Sequence, residues 1–281
     1  MVNKMYVLLI VSLLIGFAIG YSISLGEKNM LQNRIKELEM KLSPSYVEQI
    51  KKRGKLIVGT SADWPPFEYI HEGEYAGIDI VIAQRIAQEL GVELEIKDMK
   101  FDALIEALSN GMVDIIIADI TPTSEREKVI DFSIPYYFSK GYAVLTLKDA
   151  DIDSVESLYG KKIGVQSGTI QQDWAEENLG GKAEIITYTR VYPDMIMVLK
   201  RGDVDAIIIG DTIGNALVSK DPSLKVAFYA GSATTGGAVG LRQGAEDLKY
   251  VVNKVLEEMI KSGEMQELFN SETLKWLESG D

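Results

Sequence analysis

The chain has 281 residues, of which 46% are hydrophobic and 25% charged, with a net charge of -13, one histidine and no cysteine. That length suits two domains with ordinary cores. The acidic balance argues against nucleic acid, whose binders carry basic patches, and the missing thiols exclude disulfides, Cys-ligated zinc, iron–sulfur clusters, a thiol nucleophile and a lipid-modified N-terminal Cys.

The first element is apolar. Residues 5–25, MYVLLIVSLLIGFAIGYSISL, carry no charge, and about 20 such residues cross a bilayer as a helix. Lys4 precedes them, which favours a cytoplasmic N-terminus. A retained signal-anchor helix over residues 1–25 is expected, because the apolar part of a cleaved signal peptide is shorter, ~7–15 residues. Cleavage near Ala18–Gly20 is the alternative; in both cases the bulk of the chain is exported. Leu31, Ile35, Leu38 and Leu42 then follow a heptad spacing among charges, which predicts a helical stalk over 26–45. Ser43-Pro44 ends it, since proline cannot continue a helix.

The body repeats itself. GKLIVGTS (54–61) echoes GKKIGVQS (160–167), and NGMVDIIIADIT (110–121) echoes RGDVDAIIIGDT (201–212). Short apolar strands alternating with amphipathic stretches predict parallel βαβ units. Helices are expected over 79–90, with Asp79 as N-cap and Gly91 as terminator, and over 101–109, 193–200 and 211–219. A last long helix is expected from about Ala245 to Ser262, with Val251, Val255, Leu256 and Met259 on its buried side. His71, in YIHEGEY, is expected in a surface turn, so no multi-histidine metal site is available. No metal or cofactor is expected.

The body therefore reads as two α/β lobes. Ligands of open α/β sheets bind beyond the carboxyl ends of the strands. Those ends are Thr60-Ser61 and Ala118–Thr121 in one lobe, and Gln166–Thr169 and Gly210–Thr212 in the other. Two such rims facing each other make a cleft.

GTSADWPPFEY, GIDIVIAQRIAQELG, FDALIEALSNGMVDIIIADITPTSEREKVIDFSIPYY and GKKIGVQSGT resemble, in order and spacing, the polar amino-acid-binding proteins of ABC importers, extracellular solute-binding family 3. The resemblance spans roughly residues 48–275. It implies a two-lobed periplasmic-binding-protein fold of type II that closes on one amino acid. Lobe one would comprise 46–140 and 234–281, and lobe two 141–233. The hinge would lie near Ser139–Tyr142 and Ala233–Gly237.

Arg126 is the principal candidate. A guanidinium binds a carboxylate through two parallel hydrogen bonds, and the matching arginine in the family holds the ligand α-carboxylate. Pairing with Glu125 or Glu127 on the surface is the bland alternative. Thr121 offers a hydroxyl nearby, for a carboxylate or an ammonium. Thr169, in the SGT of lobe two, would place helix-start N–H groups at an anion. Trp64 and Phe101 match the aromatic pair that sandwiches the ligand side chain, whereas Phe67 reads as core.

The family usually carries an Asp for the ligand ammonium at the end of the second Gly-x-Val-Asp strand. Strict spacing puts Gly210 there and Asp211 one residue late. Either Asp211 serves through a bulge, or another carboxylate such as Asp119 does. Ser61 stands where many binders of basic amino acids have Asp, with Asp63 two residues on, and Gln171 matches a side-chain contact. These features imply arginine or lysine first and glutamine next.

The leading function is capture of a free amino acid outside the membrane and delivery to an ABC permease with its ATPase, without chemistry. The chain has no phosphate-binding Gly-Lys-Ser/Thr loop. A membrane-tethered sensor or adaptor, and a prephenate or arogenate dehydratase on the same fold, are the alternatives.

Overall fold

The computed structural model describes residues 27–32, 34 and 45–279. The expected membrane segment, and Ile35, Leu38 and Leu42 of the expected stalk, lie outside the described residues. Residues 27–32 and 34 are helical and exposed. Among the described residues, no helix is long and apolar enough to cross a membrane.

Two five-stranded sheets organise the body. The first has the order β4-β1-β5-β14-β6 and is built from β4 (Glu93–Asp98), β1 (Lys55–Thr60), β5 (Ile115–Ile116), β14 (Ala238–Arg242) and β6 (Ile130–Pro135). Strand β1 runs parallel to β4 and β5, and β14 runs antiparallel to β5 and β6. The second has the order β10-β9-β11-β8-β12, from β10 (Glu184–Tyr188), β9 (Lys162–Gln166), β11 (Ala206–Gly210), β8 (Tyr142–Leu147) and β12 (Leu224–Ala230). Here β9 is parallel to β10 and β11, and β8 is antiparallel to β11 and β12.

The internal repeat falls on matching strands of the two sheets, β1 with β9 and β5 with β11. Its Asp has a physical reason. Asp114, buried just before β5, accepts the Ile57 amide of β1 at 2.8 Å. Asp205, just before β11, accepts the Lys162 amide of β9, also at 2.8 Å. In each half the Gly-x-Val-Asp carboxylate pins the neighbouring Gly-Lys strand and so fixes where both strands end.

Helix α1 (Tyr46–Arg53) leads into β1, and the central helix α2 (Ile78–Leu90) buries Ile78, Ile82, Ile86 and Leu90 against the first sheet. Gly91 ends α2 in the left-handed region at φ 71°, as expected. The N-cap is Gly77 rather than Asp79. Asp79 is the second helical residue, fully buried, and accepts hydrogen bonds from the Asp119 amide (2.7 Å) and the Tyr136 hydroxyl (2.9 Å). The segment expected as one helix over 101–109 divides into a 3₁₀ turn, Phe101–Ala103, and helix α3, Leu104–Ser109.

Helices α4 (Ile170–Leu179), α5 (Asp194–Arg201) and α6 (Asp211–Lys220) belong to the second sheet. Helix α7 (Glu246–Ser262) buries Leu248, Val252, Val255, Leu256 and Met259. Val251 is only half-buried; Val252 falls on the stripe that a 3.6-residue period draws through Leu248 and Val255.

After Gly263 a further helix, α8 (Glu264–Glu278), was not anticipated. Its Phe269 packs on Phe67 and Tyr137 at ring-centroid distances of 5.7 and 5.5 Å. Its Trp276, fully buried, packs edge-on to Tyr192 at 5.7 Å. Lys220 of α6 lies 4.5 Å over the Trp276 ring and donates to the carbonyls of Trp276 and Ser279. The C-terminal helix therefore starts beside the first sheet and ends on elements of the second.

Two further pairings complete the fold. β2 (Tyr69–His71) and β3 (Glu74–Ala76) form a hairpin. Its turn residues Glu72 and Gly73 both have positive φ, which a two-residue hairpin turn requires. His71 sits at the last pair before that turn, half-buried. β7 (Phe138–Ser139) and β13 (Thr234–Thr235) pair antiparallel where the chain passes between the two halves. Gly236 and Gly237 follow β13, and a Cβ on either would come within 2.6 Å of the Tyr137 or Tyr136 side chain. Only glycine lets this crossing lie flat on the tyrosine pair.

Candidate functional site

The carboxyl ends of β1, β5, β9 and β11 face one cavity. Eight of the nine residues expected at a site line it: Ser61, Trp64, Phe101, Asp119, Thr121, Arg126, Thr169 and Gln171. Asp63, Glu68, Tyr137, Ser139, Tyr142 and Gln166 also line it. The enclosed space is about 30 Å³, room for a couple of waters.

Asp211 is the exception. Gly210 caps α6 and lines the cavity, and Asp211, as the first helical residue, turns away. Its carboxylate accepts from the Ser139 hydroxyl (3.0 Å) and the Lys140 amide (2.8 Å), which ties the start of α6 to the first crossing segment. The position given by strict spacing faces the cavity without a carboxylate, and the residue with the carboxylate does not face it.

Arg126 lies near the seam of the two halves. Its Nη1 donates to the Thr121 carbonyl at 2.7 Å, and its Nη2 to the Gly168 carbonyl of the second half at 3.0 Å. Its guanidinium carbon stands 5.5 Å from the centroid of the Phe101 ring, a cation–π distance. Burial pushes its pKa down, without threatening the charge of a guanidinium. Glu125, one of its expected surface partners, pairs instead with Lys128. Gly168 itself needs to be glycine: at φ 76° its missing Cβ would sit 2.9 Å from the Asp102 Cβ of the first half.

Thr169 caps α4. It accepts the Gln172 amide at 3.2 Å and donates to the Gln166 carbonyl at 2.8 Å. Its hydroxyl is engaged in its own helix start.

The inner wall is acidic. Asp119 adopts a left-handed backbone at φ 45°, a region that Asp tolerates better than most residues. Its Oδ2 accepts the Trp64 indole N–H at 2.8 Å, and its Oδ1 the Tyr137 hydroxyl at 2.5 Å. Asp119 is thus the post on which the aromatic wall is hung. Glu68 is 1% exposed and hydrogen-bonds Asp79. Its Oε2 has no partner among the described residues, an expensive state for a buried oxygen.

Burial raises the pKa of Asp79 to about 6 and lifts Glu68 and Asp119 well above the usual carboxylate range, each helped by the charge of its acidic neighbours in the latter two cases. Asp63 is likewise raised to about 6 by burial. Phe67 is fully buried behind this wall, 5.1 Å from the Tyr137 ring, and belongs to the core as expected.

Sequence reasoning missed Glu68 and Tyr137. An acid between two aromatics in PPFEY was the signal for the first. Nothing in PYY separates Tyr137, which touches Asp119, from Tyr136, which touches Asp79. Among the described residues, no group of His, Cys, Asp and Glu is arranged to hold a metal ion.

A two-lobed α/β body with strand ends converging on one polar cleft is the architecture of a periplasmic-type binding protein. The sequence pattern of the bacterial extracellular solute-binding proteins, family 3, matches residues 56–277, and the chain belongs to that family. It is 36% identical over 219 residues to the arginine-binding extracellular protein ArtP of Bacillus subtilis, covering 76% of this chain and 84% of ArtP. It is 35% identical over 226 residues to the L-cystine-binding protein TcyJ of Escherichia coli, covering 79% and 84%.

Among solved structures it is similar to AbpA, an amino acid ABC transporter substrate-binding protein of Streptococcus pneumoniae bound to L-arginine. The TM-score is 0.78 at 34% identity, covering 83% of this chain and all of AbpA. It is also similar to the ancestral amino-acid-binding protein AncCDT-1, a precursor of cyclohexadienyl dehydratase, with TM-score 0.75 at 34% identity, covering 81% and 99%. Both curated relatives are binding proteins, one for arginine and one for L-cystine.

Proposed function

We propose that this chain captures a basic amino acid, arginine or lysine before glutamine, in the cleft between its lobes and hands it to an ABC permease with its ATPase. In this reading the lobes are 46–140 with 234–281, and 141–233, and they hinge about the β7–β13 ribbon. The observation that carries the ligand class is the polarity of the cavity. Its inner wall holds Glu68, with an unpartnered buried oxygen, and Asp119, while its seam holds Arg126.

A ligand with a carboxylate at one end and a cation at the other matches that polarity. When the lobes part, Arg126 exchanges its carbonyl partners for the ligand carboxylate, a stronger, charge-assisted pairing. The ligand stem lies against Trp64 and Phe101. Its cationic end reaches the acidic wall, where it replaces proton sharing between carboxylates with a true counter-charge. The ligand touches both rims only with the lobes shut, so its differential contacts favour closure. The apolar segment 5–25 tethers the protein to the outer face of the membrane.

A thermal-shift screen of the purified protein against the common amino acids tests this, because a specific ligand raises the melting temperature by mass action. Arginine and lysine should give the largest shifts, and Arg126→Ala should remove them. A largest shift with cystine or an acidic amino acid would defeat the ligand assignment. Turnover of prephenate or arogenate would favour the dehydratase reading instead.

A further inference from the structure

Asp63 lines the cavity, yet both of its carboxylate oxygens are held by other residues of the protein. Its Oδ1 accepts the Ser61 hydroxyl at 2.7 Å. Its Oδ2 accepts the Gln166 side-chain amide at 3.1 Å and the Val191 backbone N–H at 2.5 Å. Its backbone carbonyl accepts the Tyr192 N–H at 3.1 Å. Asp63 belongs to the loop after β1 of the first sheet. Gln166 ends β9, and residues 191–192 lie between β10 and α5, all in the second half. Three of these four bonds therefore cross from one half to the other, two of them at the carboxylate, and Asp63 is 1% exposed.

A second tie lies beside the first. Arg190 Nη2 donates to Asp98 Oδ2 at 2.8 Å, and Asp98 Oδ1 accepts the Ala62 amide at 2.9 Å. Gln166 and residues 190–192 of one half are thus stapled to Asp63 and Asp98 of the other. No atom of a ligand is needed for any of these bonds.

We propose that Asp63 is a positioning residue that sets the balance between open and shut lobes, and through it the affinity of the cleft, without touching the ligand. The proposal rests on the cleft reading above. The physics is population arithmetic: a ligand that needs the shut form binds with an apparent dissociation constant divided by the fraction of chains already shut. Removing the tie lowers that fraction by one factor, whatever the ligand.

The experiment uses the absence of native cysteine. In the full chain, Met112→Cys and Met197→Cys place two labels on exposed positions, one on each half, and the distance between them is followed by single-molecule fluorescence transfer. Against this background, Asp63→Ala should lower the short-distance population without added amino acid by roughly ten- to a hundred-fold, the scale of a lost charge-assisted hydrogen bond. Asp63→Asn, which keeps an acceptor oxygen, should lower it less. Arg190→Ala, at a part-exposed side chain, should move it the same way and stands in if the Asp63 variants do not fold.

Saturating L-arginine should restore the short distance in every variant, and its affinity should fall by the same factor as the shut population. An unchanged distance distribution in Asp63→Ala overturns the proposal, as does an affinity loss confined to one amino acid, which would make Asp63 a ligand contact. If no amino acid binds at all, the cleft reading fails, while the distance measurement still decides whether Asp63 ties the halves.

Discussion

The two rims of the cleft sit on the same strand repeat and differ in chemistry. In the first half, the loops after β1 and β5 bring the Trp64 indole, Glu68 and Asp119 together with Asp79 of α2 and Tyr137 after β6. In the second, the ends of β9 and β11 carry amides, a capping hydroxyl and a glycine: Gln166, Gln171, Thr169 and Gly210. One rim holds charge and shape, and the other supplies neutral donors that meet it. The repeated Asp before β5 and β11 kept its strand-pinning task in both halves.

The sharpest way to break this division is at the seam. Arg126→Ala should weaken binding of any amino acid by at least a hundred-fold, as expected for removing one partner of a buried charge pair; calorimetric titration measures it. Glu68→Gln tests the charge of the first rim. Affinity for arginine and lysine should fall by roughly ten-fold or more on the scale of a lost charged hydrogen bond, and affinity for glutamine should hardly change. Equal losses for charged and neutral ligands would show that Glu68 acts only through packing.

Acidity separates the rims by sign. Asp63 and Asp79 have folded pKa values raised to about 6, against about 4 for an exposed Asp. The native chain therefore binds more protons than the unfolded chain between those values, and stability rises as pH falls through that window. The melting temperature of the ligand-free protein should climb by about 5 °C between pH 7.5 and pH 5. Affinity for a basic amino acid should move the other way, because the cation needs the wall ionised. A melting temperature that falls over this range would show that the wall is charged and paired at neutral pH. The smallest effect belongs to the second rim: Thr169→Ala removes the cap of α4 and should cost about 1 kcal/mol of stability, with affinity little changed in chemical denaturation and titration.

The repeats made the sheets legible, because a Gly-Lys strand and a Gly-x-Val-Asp strand each carry their own end signals. Ser61 and Thr121 followed from those ends, whereas Trp64 and Arg126 were placed by the family resemblance. What the chain order hid was direction. Asp79 looks like a cap in sequence, but it is a buried acceptor because Gly77 already begins the helix. Asp211 looks like a cleft carboxylate but faces the crossing segment, since it opens helix α6 while the extended N-cap Gly210 takes the place on the cavity wall. Asp119 holds two aromatic side chains, a long-range pairing with no local signal. Helix α8 was missed because its apolar positions are sparse, and its anchor Trp276 meets partners 56 to 84 residues earlier in the chain.

The placement of β14 has a consequence for how the polypeptide comes into being. It lies between β5 and β6, in the interior of the first sheet, yet it is contributed by residues 238–242. The second sheet is complete once β12 has emerged. During synthesis the later-starting half can therefore mature first, while the earlier half waits, with a slot open in its middle, until residues 238–242 have emerged.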